Sequence, residues 1–471
     1  MNKTTQVFSA SRRRLLTQLA AGIPVSLGLG SNLIATPAQA QSGEYRALVC
    51  VYLYGGNDGL NMVPPAAAGL HQDYAAVRGA LAIPRAQVVP LVDDYGLHPS
   101  MTPLKDVFDN GRLAVINNVG PLSRPVTQAQ YFDWQNDNNN QLVPDSLFSH
   151  KDQQILWANG ASDALLRTGW GGRLMDAVAP GTPVYSFAGN SRFGAASLIN
   201  DLVLPGPGEQ LGLYGFNDNS RDQARLAALQ ALVGGTHPNL LQNALANSQL
   251  SAFETSARLG ALLSQAPENG SPDPNNPVLS ASFGHLAGAR GNPLSRQLYQ
   301  VAKMIKNRSV VGGNRHIYFV ALGGFDHHAN QLDSHAGLLA MLGQALSDFD
   351  GAMQALGTGN QVTLFTESDF GRTFKPNSSA GTDHAWGNTH LVMGGSVNGG
   401  RTWGDAPELL LGGPNDAGQH AWEHHGRWIP GFSVDQYAAT LMDWFSQGGV
   451  DARNVLPNLS QFPSRNLGFM T

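Results

Sequence analysis

Short apolar runs rich in Val, Ile, Tyr and Phe recur along the chain: RALVCVYLY before GGNDG, LAVINNVG, TPVYSFAGN, RHIYFVALGGFD, QVTLFTESD and HLVMGG. Each gives way to Gly, Asn, Asp or Ser. Their apolarity is continuous rather than alternating, as expected of strands covered on both faces. Helical patterns lie between them, at residues 101–110, 226–233 and 293–305 and in the runs LQNALANSQLSAFETSARLGALLS and GLLAMLGQALSDFDGAMQAL. The last of these spaces its apolar residues by three and four and meets Gly357 at its exit. Strands feeding helices along the whole length predict an α/β fold: a doubly wound, mostly parallel sheet with helices on both faces. Ligands in such sheets bind at the carboxyl ends of the strands.

The 471 residues, 42% hydrophobic and 13% charged, suit a folded chain with a large core. The 55 Gly and 27 Pro point to long ordered loops. Residues 1–40 read as an export signal, with Arg12, Arg13 and Arg14 ahead of a weakly apolar stretch that ends Ala38-Gln39-Ala40. The word SRRRLL looks like a twin-arginine signal, which would route the protein through the twin-arginine translocation machinery to the periplasm or beyond; an ordinary secretory signal is the alternative. Residues 41–471 are expected to form one α/β domain, with a helical insertion around 200–310 and a proline-rich loop at 264–279. No transmembrane segment is expected in the mature protein. Cleavage after Ala40 turns 29 basic and 34 acidic groups into 25 and 34, a formal charge of −9. That balance leaves no basic footprint for nucleic acid. Cys50, the sole cysteine, lies in an apolar run and reads as a core thiol.

Acid and histidine gather at the ends of the predicted strands. Asp58 follows the first in YGGNDGLN, where an Asx turn accounts for it as well as ligation does. Asp326, His327 and His328 follow RHIYFVAL; in an extended segment Asp326 and His328 share one side. Glu367 and Asp369 leave QVTLF together, and Arg372 behind them either binds an anionic ester or neutralises Asp369. Asp383, His384 and His390 come on the loop leading into the next strand. Carboxylates brought this close repel unless a cation offsets them. A two-ion centre would do so, zinc first among the candidates and Mg, Ca or Mn after it.

The words VYLYGGNDGLNMVPP, LFSHKDQQILWA, TGWGGRLMDA, FAGNSRFG, GGFDHHANQ, ESDFGRTFKPN, GTDHAWGN and GRWIPGFSVDQYAATLMDWF, in this order, resemble the exported bacterial family known as domain of unknown function 1501. That family in turn resembles the alkaline-phosphatase-like superfamily of phosphatases and sulfatases. The resemblance implies that fold and an Asp/His-bound pair of ions. It would make Asp58 a carboxylate shared between ions, Asp326 and His328 the mid-chain ligands, Asp369 the strand-end aspartate, and His384 the late histidine with Asp383 beside it. This chain departs from the superfamily at Phe370, where a ligating histidine usually follows the strand-end aspartate. Ser123 and Thr127 are the candidate nucleophiles, with loop capping as their other role. His150, Lys151 and Gln154 would line the cleft, His150 equally as a hydrogen-bonded structural histidine.

Two functions follow as expectations. One is a metal-dependent hydrolase of phosphate or sulfate esters. The other is a non-catalytic envelope protein that binds a carbohydrate or a protein partner through a metal-containing or acidic cleft.

Overall fold

Among the described residues, β1 (Arg46–Tyr54) lies near the middle of a nine-stranded sheet and pairs in parallel with β7 (Arg315–Gly323) and β8 (Val362–Ser368). In the computed structural model the described residues are 43–471 apart from 93, 138–142, 145, 161–165, 213–218, 236–237, 265–272, 274–275, 288–290 and 419–422. The export signal read at 1–40 lies outside the described residues.

The remaining strands of the sheet are β4 (Leu113–Gly120), β5 (Tyr185–Ser186), β6 (Leu202–Val203), β9 (Asn388–Met393), β10 (Arg401–Trp403) and β11 (Phe432–Ser433). A small antiparallel pair, β2 (Val89–Pro90) and β3 (Gly96–Leu97), stands apart. The order across the sheet is β10-β4-β9-β8-β1-β7-β5-β6, with β11 against β4. Every pairing in this sheet is parallel except those of β9, which runs antiparallel to both β4 and β8. The chain leaves β8, makes a loop and returns directly as its neighbour, a connection that needs no helical crossover.

Successive residues of β1 serve two cores. Ala47, Val49, Val51 and Leu53 enter one, and Leu48, Cys50 and Tyr52 the other. The first is closed by helices Pro293–Lys306 and Gln331–Ala355, which contribute Leu298, Val301, Ala302 and Ile305, and Leu339, Leu342, Leu346 and Phe349. The second is closed by helices Trp170–Val178 and Val434–Ser446 through Trp170, Leu174, Tyr437, Leu441 and Phe445. Each fully buried Val, Leu, Ile or Phe among them stabilises by about 1.5–3 kcal/mol relative to exposure. The architecture is thus a doubly wound α/β sheet, and Cys50 is a fully buried free thiol within it. Between β6 and β7 the described residues include the helices Ser220–Val233, Leu240–Leu263 and Pro277–Ser282 ahead of Pro293–Lys306. Among the described residues no helix is long and apolar enough to cross a membrane.

Two predicted elements differ in detail. The helix expected at 101–110 is a 3-10 turn, Pro99–Leu104, followed by a short helix, Lys105–Asp109; Met101 is non-helical, and Pro103 lacks the amide that a continuous helix needs. Helix Gln331–Ala355 begins earlier than its apolar run, because its entry is satisfied from outside: the amides of Asn330 and Gln331 donate to the carbonyls of Ser379 and Ala380 at 3.1 and 2.9 Å.

Candidate metal centre

Five stretches of chain meet at the carboxyl edge of β1, β7 and β8. The turn after β1 is held by Gly55 at φ 113° and Gly56 at φ 78°. A Cβ at Gly56 would stand 2.4 Å from the Phe370 ring, and one at Gly55 2.5 Å from the Asp326 amide, so both positions need glycine for the turn and for the close approach. Asp326 and His328 come just after β7, and Asp369 and Arg372 just after β8. His384 lies on the loop before β9, and His150 is the first residue of helix His150–Asn159.

His150, Asp326 and His384 can each present one ligand atom such that the three atoms lie within 4.8 Å of one another. His150 Nε2 is 3.4 Å from Asp326 Oδ1, and His384 Nε2 is 3.5 Å from the same oxygen. Ligands on a tetrahedral zinc ion with bonds of about 2.1 Å stand about 3.4 Å apart, so these separations match a cation's first shell. His328 Nε2 adjoins them, 3.0 Å from Asp326 Oδ1 and 2.9 Å from His384 Nε2.

Each imidazole is anchored through its other nitrogen. His150 Nδ1 donates to Asp369 Oδ2 at 2.6 Å, His328 Nδ1 to Asp383 Oδ1 at 3.1 Å, and His384 Nδ1 to the Phe148 carbonyl at 2.7 Å. A carboxylate or carbonyl can only accept, so Nδ1 carries the hydrogen in all three rings and a neutral ring keeps its Nε2 lone pair for the centre. His150 Nε2 is buried with no hydrogen-bond partner among the described residues, an orphan aimed at Asp326. The donor set of two or three imidazoles and a carboxylate suits zinc, and the orphaned nitrogen is what an ion would satisfy.

The surrounding charges are ordered. Arg372 is buried and donates to the carbonyls of Gly55, Gly56 and Thr382 and to Asp326 Oδ1, the last at 2.6 Å. Burial opposes the Asp326 charge, but the hydrogen bond and charge of Arg372, with His328 and His150, outweigh it and hold this carboxyl below its ordinary range. The hydrogen bond to Asp369 raises His150 above the usual histidine value despite partial burial. His384 is lowered, chiefly by burial, which leaves it neutral near pH 7. Burial also opposes the Asp383 charge, and hydrogen bonds from Asn377 and His328 reverse that and lower it.

Of the residues predicted from sequence, Asp326, His328 and His384 meet at one point. Asp369 and Asp383 stand one step behind, each holding an imidazole. Asp58 is elsewhere: Oδ1 takes Asn61 N and Arg78 Nη2, and Oδ2 takes Arg78 Nη1 and Gln331 Nε2, all within 3.1 Å and almost wholly buried. Phe370 is buried against the rings of His150 and His384, with centroids 4.7 and 4.5 Å away, and fills the space beside them. Thr127 caps the following helix, its Oγ1 and amide both engaging Gln130, and Ser123 is buried. His390 is inside β9, against Trp157, where burial pushes its pKa down to about 3. Glu367 is in the core beneath the site, bonded to Trp170 Nε1 at 3.2 Å and raised by burial to about 8. The sequence treats His150 as one cleft residue among several; the signal for a larger part is its place in FSHKDQQ, four residues before Gln154, which reaches the same Asp369 oxygen.

The fold and the site thus define a doubly wound α/β protein with an acid–histidine cup at the carboxyl edge of its sheet. The chain belongs to the family described as "Protein of unknown function (DUF1501)", whose model matches residues 45–413. Among curated proteins none matches this chain. Solved structures similar to it include Ps i-CgsB, at 11% identity and TM-score 0.35, covering 88% of this chain and 75% of that one. BT1596, titled a 2-O GAG sulfatase, is similar at 10% and 0.30, over 88% and 75%. A mutant of the alkaline phosphatase PafA is similar at 9% and 0.29, over 70% and 64%. Likenesses of this size bear on neither the site nor the activity.

Proposed function

We propose that this protein holds one divalent cation, zinc in the first place, through His150, Asp326 and His384, with His328 at its side, and hydrolyses a phosphate or sulfate ester there. The observation that carries the reading is the convergence of Nε2 of His150 and His384 on Asp326 Oδ1 while every Nδ1 is tied to an oxygen. The ion would supply Lewis acidity toward a substrate oxygen. The chain's own residues orient that centre: Arg372 offsets part of its negative charge, Asp383 fixes His328, and Phe148 fixes His384. One ion rather than two is supported by Asp58, whose oxygens are taken by Arg78 and Gln331, and by Phe370, which occupies the space next to the histidines. The ester class rests on the resemblance of the family to which the sequence words belong, domain of unknown function 1501, to the phosphatase and sulfatase superfamily. The twin-arginine reading of residues 11–16 belongs to the same proposal and puts the protein in the periplasm or outside the cell.

Elemental analysis of the purified protein, paired with turnover of aryl phosphates and aryl sulfates, tests it. About one zinc per chain and hydrolysis that stops on chelation are expected. A protein that takes up no divalent ion, and whose melting is the same in wild type and His384→Ala with zinc added, would refute it.

A second reading, a metal-holding envelope protein that captures a glycan or protein without turnover, is favoured by one observation. The hydroxyl of Thr127 is engaged in helix capping instead of facing the histidines. Metal binding with no turnover across the ester panel, together with retention on a glycan array, selects it.

A further inference from the structure

Asp369 is fully buried, and its Oδ2 gathers three donors: His150 Nδ1 at 2.6 Å, Gln154 Nε2 at 3.0 Å and the Gly55 amide at 3.2 Å. His150 and Gln154 are one turn apart on helix His150–Asn159, so a single carboxylate oxygen staples one face of that helix to the exit of β8 and, through Gly55, to the turn after β1. The two nitrogens of an imidazole point in diverging directions. An oxygen bonded to Nδ1 therefore cannot also ligate the ion that Nε2 faces, and Oδ1 of the same carboxylate, buried and without a hydrogen-bond partner among the described residues, is held on the Nδ1 side of the ring with it.

We propose that Asp369 is a positioning residue of the centre and not one of its ligands: it sets the ring plane and tautomer of His150 and docks the helix that carries it. The inference rests on the one-ion reading above. It gives a physical reason for a strand-end aspartate in a site where Phe370 follows it. The aspartate acts through a histidine delivered by another part of the chain, 219 residues away.

Zinc titration calorimetry and the visible spectrum of the cobalt(II)-loaded protein test it with Asp369→Asn, Gln154→Ala and Asp326→Asn. Loss of an orienting partner typically costs 10–100-fold in metal affinity. Asp369→Asn is expected to bind zinc about 10–100-fold more weakly, at unchanged stoichiometry and with the cobalt bands of the wild type. Asp326→Asn should alter those bands. Gln154→Ala should show a smaller loss in the same direction, and it decides the matter if Asp369→Asn does not fold. Wild-type affinity in the variants, with wild-type protein that does bind zinc, overturns the positioning role and leaves the centre standing. Cobalt bands in Asp369→Asn changed as in Asp326→Asn overturn it in favour of ligation. Absence of zinc uptake by the wild type overturns both this inference and the one-ion reading.

Discussion

Arg78 and Asp58 form a buried, two-point ion pair, with Nη1 to Oδ2 at 2.6 Å and Nη2 to Oδ1 at 2.8 Å. Burial opposes the Asp58 charge, and Arg78, then His335 and Gln331, reverse this and lower its pKa. Removing one partner of such a pair leaves an uncompensated charge in the interior and costs about 3–5 kcal/mol. Arg78→Ala is expected to destabilise by that amount in urea denaturation, while zinc stoichiometry stays at the wild-type value. Loss of the ion with unchanged stability would mean that Asp58 serves the centre and not the fold.

Zinc affinity should fall in acid, and earlier than for ordinary histidines. An imidazole must shed its Nε2 proton to ligate, and Asp369 raises the His150 pKa above the usual value. As pH drops, His150 takes up its proton first, so binding weakens at a higher pH than the burial-lowered His384 alone would dictate. Titrations across pH 5 to 8 check this; an affinity that is flat down to the ordinary histidine range contradicts it.

Asp435 makes the fold lose stability as pH rises from the acid range to just above neutral. It is buried near Arg173 and the Asn458 amide, and burial raises its pKa from 3.8 to about 8. The folded chain therefore holds a proton that the unfolded chain releases. The associated stability is fully present below the unfolded pKa and is lost as pH rises toward about 8. Asp435→Asn should flatten this part of the stability profile in thermal melts. A variant that keeps the wild-type slope between pH 4 and 8 would show that the slope arises elsewhere.

Gly56→Ala places a Cβ 2.4 Å from the Phe370 ring on a backbone at φ 78°, so strain and overlap act together. Each costs about 1–3 kcal/mol. The variant is expected to lose at least about 2 kcal/mol and, because Phe370 underlies His150 and His384, to bind zinc more weakly. Wild-type melting and affinity together would show that the turn is slack.

Much of this was legible in the sequence because continuous apolar runs and their turn residues specify buried parallel strands. All six predicted strands exist, and the acids at their ends are where strand order puts them. The direction of β9 was not legible, since an apolar run carries no sign of which way it enters the sheet. Convergence was less legible still. Sequence placed Asp326, His328 and His384 near one edge, but Asp58 has the same local surroundings as a ligand and is claimed by Arg78, which lies on a helix whose pattern does not announce it. His150 was underrated because its partners come from the ends of β7 and β8, and no local spacing encodes a contact across the sheet.

The reversal of β9 bears on how the cup is assembled. Because β8 returns to its own neighbour, the segment from Asp369 to His384 closes on itself over a short stretch of chain, and its middle seals the start of helix Gln331–Ala355 through Ser379 and Ala380. Such short-range closure is entropically inexpensive, whereas seating His150 on Asp369 must span 219 positions of chain. Local chain thus builds the rim between Asp369 and His384, while the seating of His150 on Asp369 reports whether two distant parts of the chain have met.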